Sequence, residues 1–199
     1  MGVPSNLNNW QPTIAVDQSI YEPDTTQRCP LGTRIVVGDR IFYYAQASAS
    51  VAGGAVLCST LPTLSHQSGI FAVAATSAGA KVISGTSSAA VAANLYAEGY
   101  FGAAAGAAIG EMYRIKQQSS GSAAMAITLY DGLNTTITSG ANFWITQNPF
   151  KNVWVGSQNL DLPMGIAPVA VTSGAYFWLQ TWGPANPSHV AATPAGGVL

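Results

Sequence analysis

Apolar residues alternate along two nearly identical stretches in the C-terminal third of the chain. Residues 138–145 read TSGANFWI and residues 172–179 read TSGAYFWL. In an extended strand, alternation puts small and apolar side chains on one face of each copy: Ala141, Phe143 and Ile145 in the first, and Ala175, Phe177 and Leu179 in the second. The opposite face carries Trp144 in the first copy and Tyr176 and Trp178 in the second. Because neither face is polar, we expect both to be covered, the second by another protein subunit.

Other short strand patterns follow one another with turn signals between them. Residues 34–37 and 41–44 are β-branched and aromatic and flank Gly38-Asp39, which predicts a hairpin. Residues 125–130 and 133–138 flank Asp131-Gly132 and predict a second hairpin, with a further strand at 141–147. In that arrangement five apolar side chains share a face: Met125, Ile127, Leu129, Phe143 and Ile145. A helical stripe is absent from the sequence, so the pattern predicts an all-β antiparallel barrel or sandwich with little helix.

Composition shifts divide the chain into three parts. Residues 1–30 contain four prolines and read as an extended N-terminal arm, which we expect to lie on its own domain or on a neighbour. Residues 31–184 form the predicted all-β domain, with the Ala/Ser-rich stretch 47–97 as a candidate insertion. Residues 185–199 are rich in proline, alanine and glycine and predict a flexible C-terminal tail.

Charge is unusually scarce in this chain. Only 8% of its 199 residues are charged, 48% are hydrophobic, and the net charge is −1. Nothing in this balance attracts nucleic acid or an anionic membrane, and no apolar run is long enough for a transmembrane helix. The N-terminus lacks the basic and apolar regions of a signal peptide. A surface with so little charge favours an obligate assembly over a free monomer.

Residues of the types that commonly take part in catalysis or in metal and cofactor binding are few and dispersed. His66 and His189 lie in loop-like contexts without a partner at metal-ligand spacing. The eight acidic residues are scattered, and the glycine clusters lack the Lys-Ser/Thr of a phosphate-binding loop. Cys29 and Cys58 are too few for a disulfide framework, and two separate thiols are favoured over a single bridge between them. We therefore expect no catalytic, cofactor-binding or metal-binding residues, and no enzymatic activity.

The aromatic residues are the one set of side chains that suggests a functional site. Large aromatic side chains commonly anchor protein interfaces, so we take six of them as candidate subunit-interface residues: Trp10, Trp144, Trp154, Tyr176, Trp178 and Trp182. The alternative from another class is a carbohydrate-binding β-sandwich that stacks sugars on exposed tryptophans.

Two segments resemble virion structural proteins of tailed bacteriophages, most of all the small β-rich capsid decoration, or cement, proteins. Residues 165–183 (GIAPVAVTSGAYFWLQTWG) are similar to a strand-turn-strand run of those proteins. Residues 30–45, from Pro30-Leu31-Gly32-Thr33-Arg34 to Phe42-Tyr43-Tyr44-Ala45, are similar to their N-terminal part. The stretch 47–97 has no counterpart in that family.

The resemblance implies a β-barrel-like or β-tulip domain without catalytic residues or cofactors. It also implies a homotrimer that sits on the capsid surface of a virion assembled in the host cytoplasm. Its partners would then be the major capsid protein and copies of itself, with no role for nucleic acid or membrane. A phage tail-tube or fibre protein is the nearest alternative within the same class.

Overall fold

A computed structural model describes residues 18–61, 70–87, 89–121, 125–156 and 162–188. Within these residues the protein is all-β and has no helix, as the sequence pattern predicts. The strands are β1 (Arg34–Val37), β2 (Arg40–Gln46), β3 (Val56–Cys58), β4 (Ile70–Ala72), β5 (Val82–Thr86), β6 (Tyr100–Ala103), β7 (Met112–Gln118), β8 (Met125–Leu129), β9 (Asn142–Thr146), β10 (Trp154–Val155), β11 (Pro163–Ile166) and β12 (Tyr176–Trp182).

The strands form two antiparallel sheets. Six of them close into a barrel in the order β4-β5-β8-β7-β6-β9. The other six form an open sheet in the order β1-β2-β12-β11-β3-β10. All the barrel strands lie between β3 and β10 along the chain, so residues 70–146 are inserted within the open sheet. The stretch 47–97 is therefore not one insertion, because it supplies β3 to the sheet and β4 and β5 to the barrel.

Apolar side chains at alternate positions of the barrel strands point inward and fill the barrel interior. The five apolar side chains predicted to share a face are all buried in one core, which confirms that part of the pattern. The core also takes side chains from β4, β5, β6 and β7: Ile70, Ile83, Phe101 and Ile115. Because closure pairs every strand on both sides, the barrel has no free edge.

The hairpin predicted at Asp131-Gly132 is wrong. Strand β8 pairs with β5 and β7, and residues 133–138 form no strand of their own. Leu133 instead exchanges backbone hydrogen bonds with Gly79 and Ala80, and its side chain is buried in the barrel core. Both sides of β8 are already paired within the barrel, so no neighbouring position remains for a returning strand.

Both faces of the open sheet carry a packed core around β2 and β12. One face packs a core of small and branched side chains that includes Leu57, Phe177 and Leu179. The other face carries Phe42, Tyr44 and Trp178, which pack against Cys29 and Leu31. The predicted hairpin of β1 and β2 is confirmed, with Gly38 and Asp39 between the two strands.

Part of the predicted N-terminal arm lies on its own domain. Asp24 forms an isolated bridge with Tyr176 at the start of β12. The Gln18 side-chain amide donates to the carbonyls of Glu22 and Tyr176 at 2.7 and 3.1 Å. Residues 18–31 therefore cover one face of the open sheet, whereas residues 1–17 lie outside the described part of the chain.

The described residues contain four copies of one tight turn, whereas the sequence repeat indicates two. Each copy has a glycine at positive φ, followed by an alanine whose N–H donates to the carbonyl three residues earlier, as in a type II turn. The glycines are Gly54, Gly79, Gly140 and Gly174, with φ of 81°, 82°, 75° and 78°. The turns face one another in pairs, through the bridge Val51–Val171 in the open sheet and Thr76–Ile137 in the barrel.

Candidate functional site

The outer wall of the barrel exposes a group of apolar side chains. We call this group the apolar wall; it consists of Phe71 and Val73 at β4, Val82 on β5, Met112 on β7 and Trp144 on β9. Phe71 is 44% exposed and Met112 is 60% exposed, while Trp144 is half-buried. The outward face of a strand in water normally carries polar residues, so this wall is unusual for a free surface.

Strand pairing makes the apolar wall continuous. Phe71 lies beside Asn142, and Trp144 follows two residues later on the same face of β9. Trp144 lies opposite Gly102 of β6, which in turn lies opposite Met112 of β7. The wall therefore crosses β4, β9, β6 and β7 without an intervening charge.

Trp178 is buried within the single chain. Only 1% of it is exposed in the single chain, and its indole Nε1 donates to the carbonyl of Gln18 at 3.1 Å. Tyr44 packs against it edge-on, with ring centroids 5.0 Å apart. The cover expected from another subunit is thus supplied by the chain's own residues 18–31.

Tyr176 is held mainly within the chain as well. Its ring stacks on Tyr44 with centroids 6.0 Å apart, and its backbone pairs with Asp24. Burial raises the pKa of its hydroxyl. Tyr176 retains partial exposure, and its contacts hold it against β2 and the N-terminal segment.

Trp182 and Trp154 are accessible at separate places on the open sheet. Trp182 ends β12 and is 70% exposed. Together with the segment from Gly183 to Ala185 it borders a shallow depression of about 480 Å³. Trp154 lies on the edge strand β10, beside a second depression of about 540 Å³.

Searches for related proteins found nothing. No family model, no curated protein and no solved structure matches this chain.

Several residues considered in the sequence analysis lie outside the described part of the chain, among them Trp10, His66 and His189. Among the described residues, no group of three or more His, Cys, Asp or Glu side chains could hold a metal ion. The same part of the chain contains no helix long and apolar enough to cross a membrane. Cys29 and Cys58 are two separate thiols, as predicted. Both are buried, and burial raises the pKa of Cys29 to about 11.

A polar junction ties the N-terminal segment to the barrel. The Glu98 carboxylate accepts hydrogen bonds from the Leu31 N–H at 2.5 Å and from the Gln27 amide at 2.7 Å. Arg114 lies 3.7 Å from the same carboxylate, and its Nη2 donates to the Leu31 carbonyl at 2.9 Å. Glu98 also has a left-handed backbone, with φ of 63°, which is uncommon for a residue with a side chain.

A second carboxylate organises the loop after β8. Glu111 accepts hydrogen bonds from the hydroxyls of Thr135 and Tyr113, and the Tyr113 hydroxyl in turn accepts from the Asn134 N–H at 2.7 Å. These donors, the Thr135 hydroxyl first, hold the pKa of Glu111 below its ordinary value. These hydrogen bonds attach the loop after β8 to the start of β7.

The members of the apolar wall other than Trp144 were not recognisable from the sequence as site residues. Phe71, Val73 and Val82 lie in the Ala/Ser-rich stretch, where short strands are hard to identify. The available signal was the alternation in residues 70–73, where Ile70 and Ala72 are buried and Phe71 and Val73 are exposed.

Proposed function

We propose that this protein is a non-enzymatic structural component of a virion that decorates, or cements, the capsid of a tailed phage. In this role it acts by burying surface against copies of itself and against the major capsid protein. Repeated contacts on a lattice strengthen one another through avidity, so each can be modest.

The observation that carries the proposal is the apolar wall. Five outward positions of the barrel carry apolar side chains, and four of these side chains are 44% to 60% exposed. Patches of this kind on soluble proteins commonly mark protein interaction surfaces. The low charge of the whole chain and the resemblance of residues 30–45 and 165–183 to decoration proteins support the same role.

The oligomeric state tests the first half of the proposal. Multi-angle light scattering should give a mass three times that of the chain. Introducing a charge into the wall with Phe71→Asp or Met112→Asp should produce monomers, because the carboxylate would have to be buried unpaired. Lys116→Asp is the matched control, since Lys116 is exposed on β7 beyond the wall, and it should leave the trimer intact.

Capsid binding tests the second half. The protein should co-sediment with empty phage capsids, and the Phe71→Asp variant should lose this association while the Lys116→Asp variant retains it. A monomer that does not bind capsids would refute the proposal. Rings or filaments in negative-stain images would instead assign the protein to the tail tube or a fibre.

A further inference from the structure

The depression beside Trp154 is rigidly built. The indole Nε1 donates to the Ser59 carbonyl at 3.3 Å, which fixes the orientation of the ring. The Thr60 hydroxyl donates to the Asn152 carbonyl at 2.7 Å, and the Ser48 N–H donates to the Val153 carbonyl at 2.9 Å. These hydrogen bonds connect the segments that line the depression to one another. A ligand would therefore meet side chains already in position.

Polar groups with unused hydrogen-bonding capacity surround this ring. The depression is lined by Trp154, Leu61, Ser48, Thr60 and Asn152. In the described part of the chain, neither the Ser48 hydroxyl nor the Asn152 amide has a hydrogen-bond partner, and Thr60 Oγ1 can still accept. Asn152 has a left-handed backbone, with φ of 57°, a conformation that asparagine adopts more readily than most residues.

The lining carries no charged side chain. The nearest candidate along the chain is Lys151, but its Nζ donates to the Asn94 carbonyl at 2.7 Å. Nothing in the lining therefore favours a phosphate, a carboxylate or a cation. The chemistry selects a neutral ligand that presents both an apolar face and several hydroxyl groups.

Two other classes of occupant fit less well. An extended peptide could add to the sheet edge, but β10 is only two residues long and offers almost no backbone for pairing. An apolar protein surface would cover Ser48 and Asn152 without satisfying them, and an unpaired buried polar group is costly. The volume of about 540 Å³ is within the usual range for a small-molecule site.

We propose that this depression is a binding site for a neutral sugar, the terminal ring or two of a glycan. The C–H face of the sugar stacks on the indole of Trp154, and its hydroxyls bond to the Asn152 amide, the Ser48 hydroxyl and Thr60 Oγ1. The site is separate from the apolar wall, so it does not depend on the proposed role in the capsid.

Binding to a glycan array, followed by saturation-transfer NMR with methyl glycosides of glucose, galactose and mannose, tests this proposal. At least one neutral glycan should bind, and its ring protons should receive saturation. Asn152→Ala and Trp154→Ala should each weaken binding by roughly tenfold or more. Trp154→Phe should retain measurable binding because it keeps an aromatic face.

Trp182→Ala is the matched control, since it removes an exposed tryptophan from a different place on the sheet, and this variant should bind glycans like the unmodified protein. The proposal fails if no neutral glycan binds, if only anionic glycans bind, or if binding survives Trp154→Ala. Loss of the oligomer in Trp154→Ala without any glycan binding would also overturn it and would identify the depression as a subunit contact.

Discussion

Trp144 occupies the space where a side chain at position 102 would lie. The two residues are opposite each other on β9 and β6, and a Cβ placed on Gly102 would overlap the indole ring. The ring therefore lies against bare backbone, which explains how so large a residue on the outer wall remains half-buried. Glycine at position 102 is a requirement of this contact rather than of the backbone conformation.

Gly102→Ala should destabilise the protein by roughly 1–3 kcal/mol, because the methyl group forces the indole from its position. Urea denaturation measures the change. Trp144→Ala removes the obstructing ring, so the double variant should lose less stability than the two single variants together. Additive losses would mean that the two residues do not interact as described.

Trp178→Ala should cost roughly 3–5 kcal/mol of unfolding free energy, because the ring fills the core between the open sheet and residues 18–31. Trp182→Ala, at the far end of the same strand, should change stability by less than about 0.5 kcal/mol. The pair compares a buried and an exposed tryptophan four residues apart on β12. Equal losses in denaturant titrations would contradict the assignment of Trp178 to the core.

The Glu111 network predicts a loss of stability in acid. Hydrogen bonds from Thr135 and Tyr113 lower the pKa of Glu111 in the folded protein below its ordinary value of 4.5. A group with a lowered folded pKa stabilises the protein above its unfolded pKa, and that contribution disappears as the pH falls through the folded pKa. The thermal midpoint should therefore fall with pH below about 4.5, and Glu111→Gln should reduce this fall.

Thr135→Val is the control for that prediction, since it removes the leading donor and leaves the carboxylate in place. Its acid-induced fall in midpoint should lie between those of the unmodified protein and Glu111→Gln. Identical pH profiles for all three proteins would show that the network does not stabilise the charged form.

Glu98→Ala should release the N-terminal segment from the barrel. The variant lacks the two carboxylate oxygens that accept hydrogen bonds from the Leu31 N–H and the Gln27 amide. Local opening near Arg28 should therefore become more frequent. Trypsin cleavage after Arg28, followed by mass spectrometry, should accelerate about fivefold or more, the factor that corresponds to roughly 1 kcal/mol. Glu22→Ala, in an exposed part of the same segment, should leave the rate unchanged.

Local patterns predicted local structure well. Alternation in the TSGAxFW copies assigned Phe143, Ile145, Phe177 and Leu179 to the core, and β-branched runs around Gly38-Asp39 predicted the first hairpin. The same reasoning failed at Asp131-Gly132, because a strong turn signal cannot reveal that β8 is already paired on both sides. It also failed at Trp178, because no pattern in a strand tells whether its cover comes from the same chain.

Two further features depended on positions far apart in sequence. Closure of the barrel joins β4 to β9, which begin more than 70 residues apart, and this pairing leaves no trace in either short segment. The turns at Gly54 and Gly79 did have a signal, since each is followed by alanine like Gly140 and Gly174. Their flanking residues differ enough to hide the likeness until the φ angles are compared.

The placement of the barrel inside the open sheet has a consequence for how this protein could be rebuilt. The first and last barrel strands are neighbours, with Ile70 paired to Phe143, so the two ends of the barrel segment lie close together. Joining the two ends of such a segment requires only a short connection. We expect a graft of residues 70–146 onto another scaffold to carry the apolar wall with it.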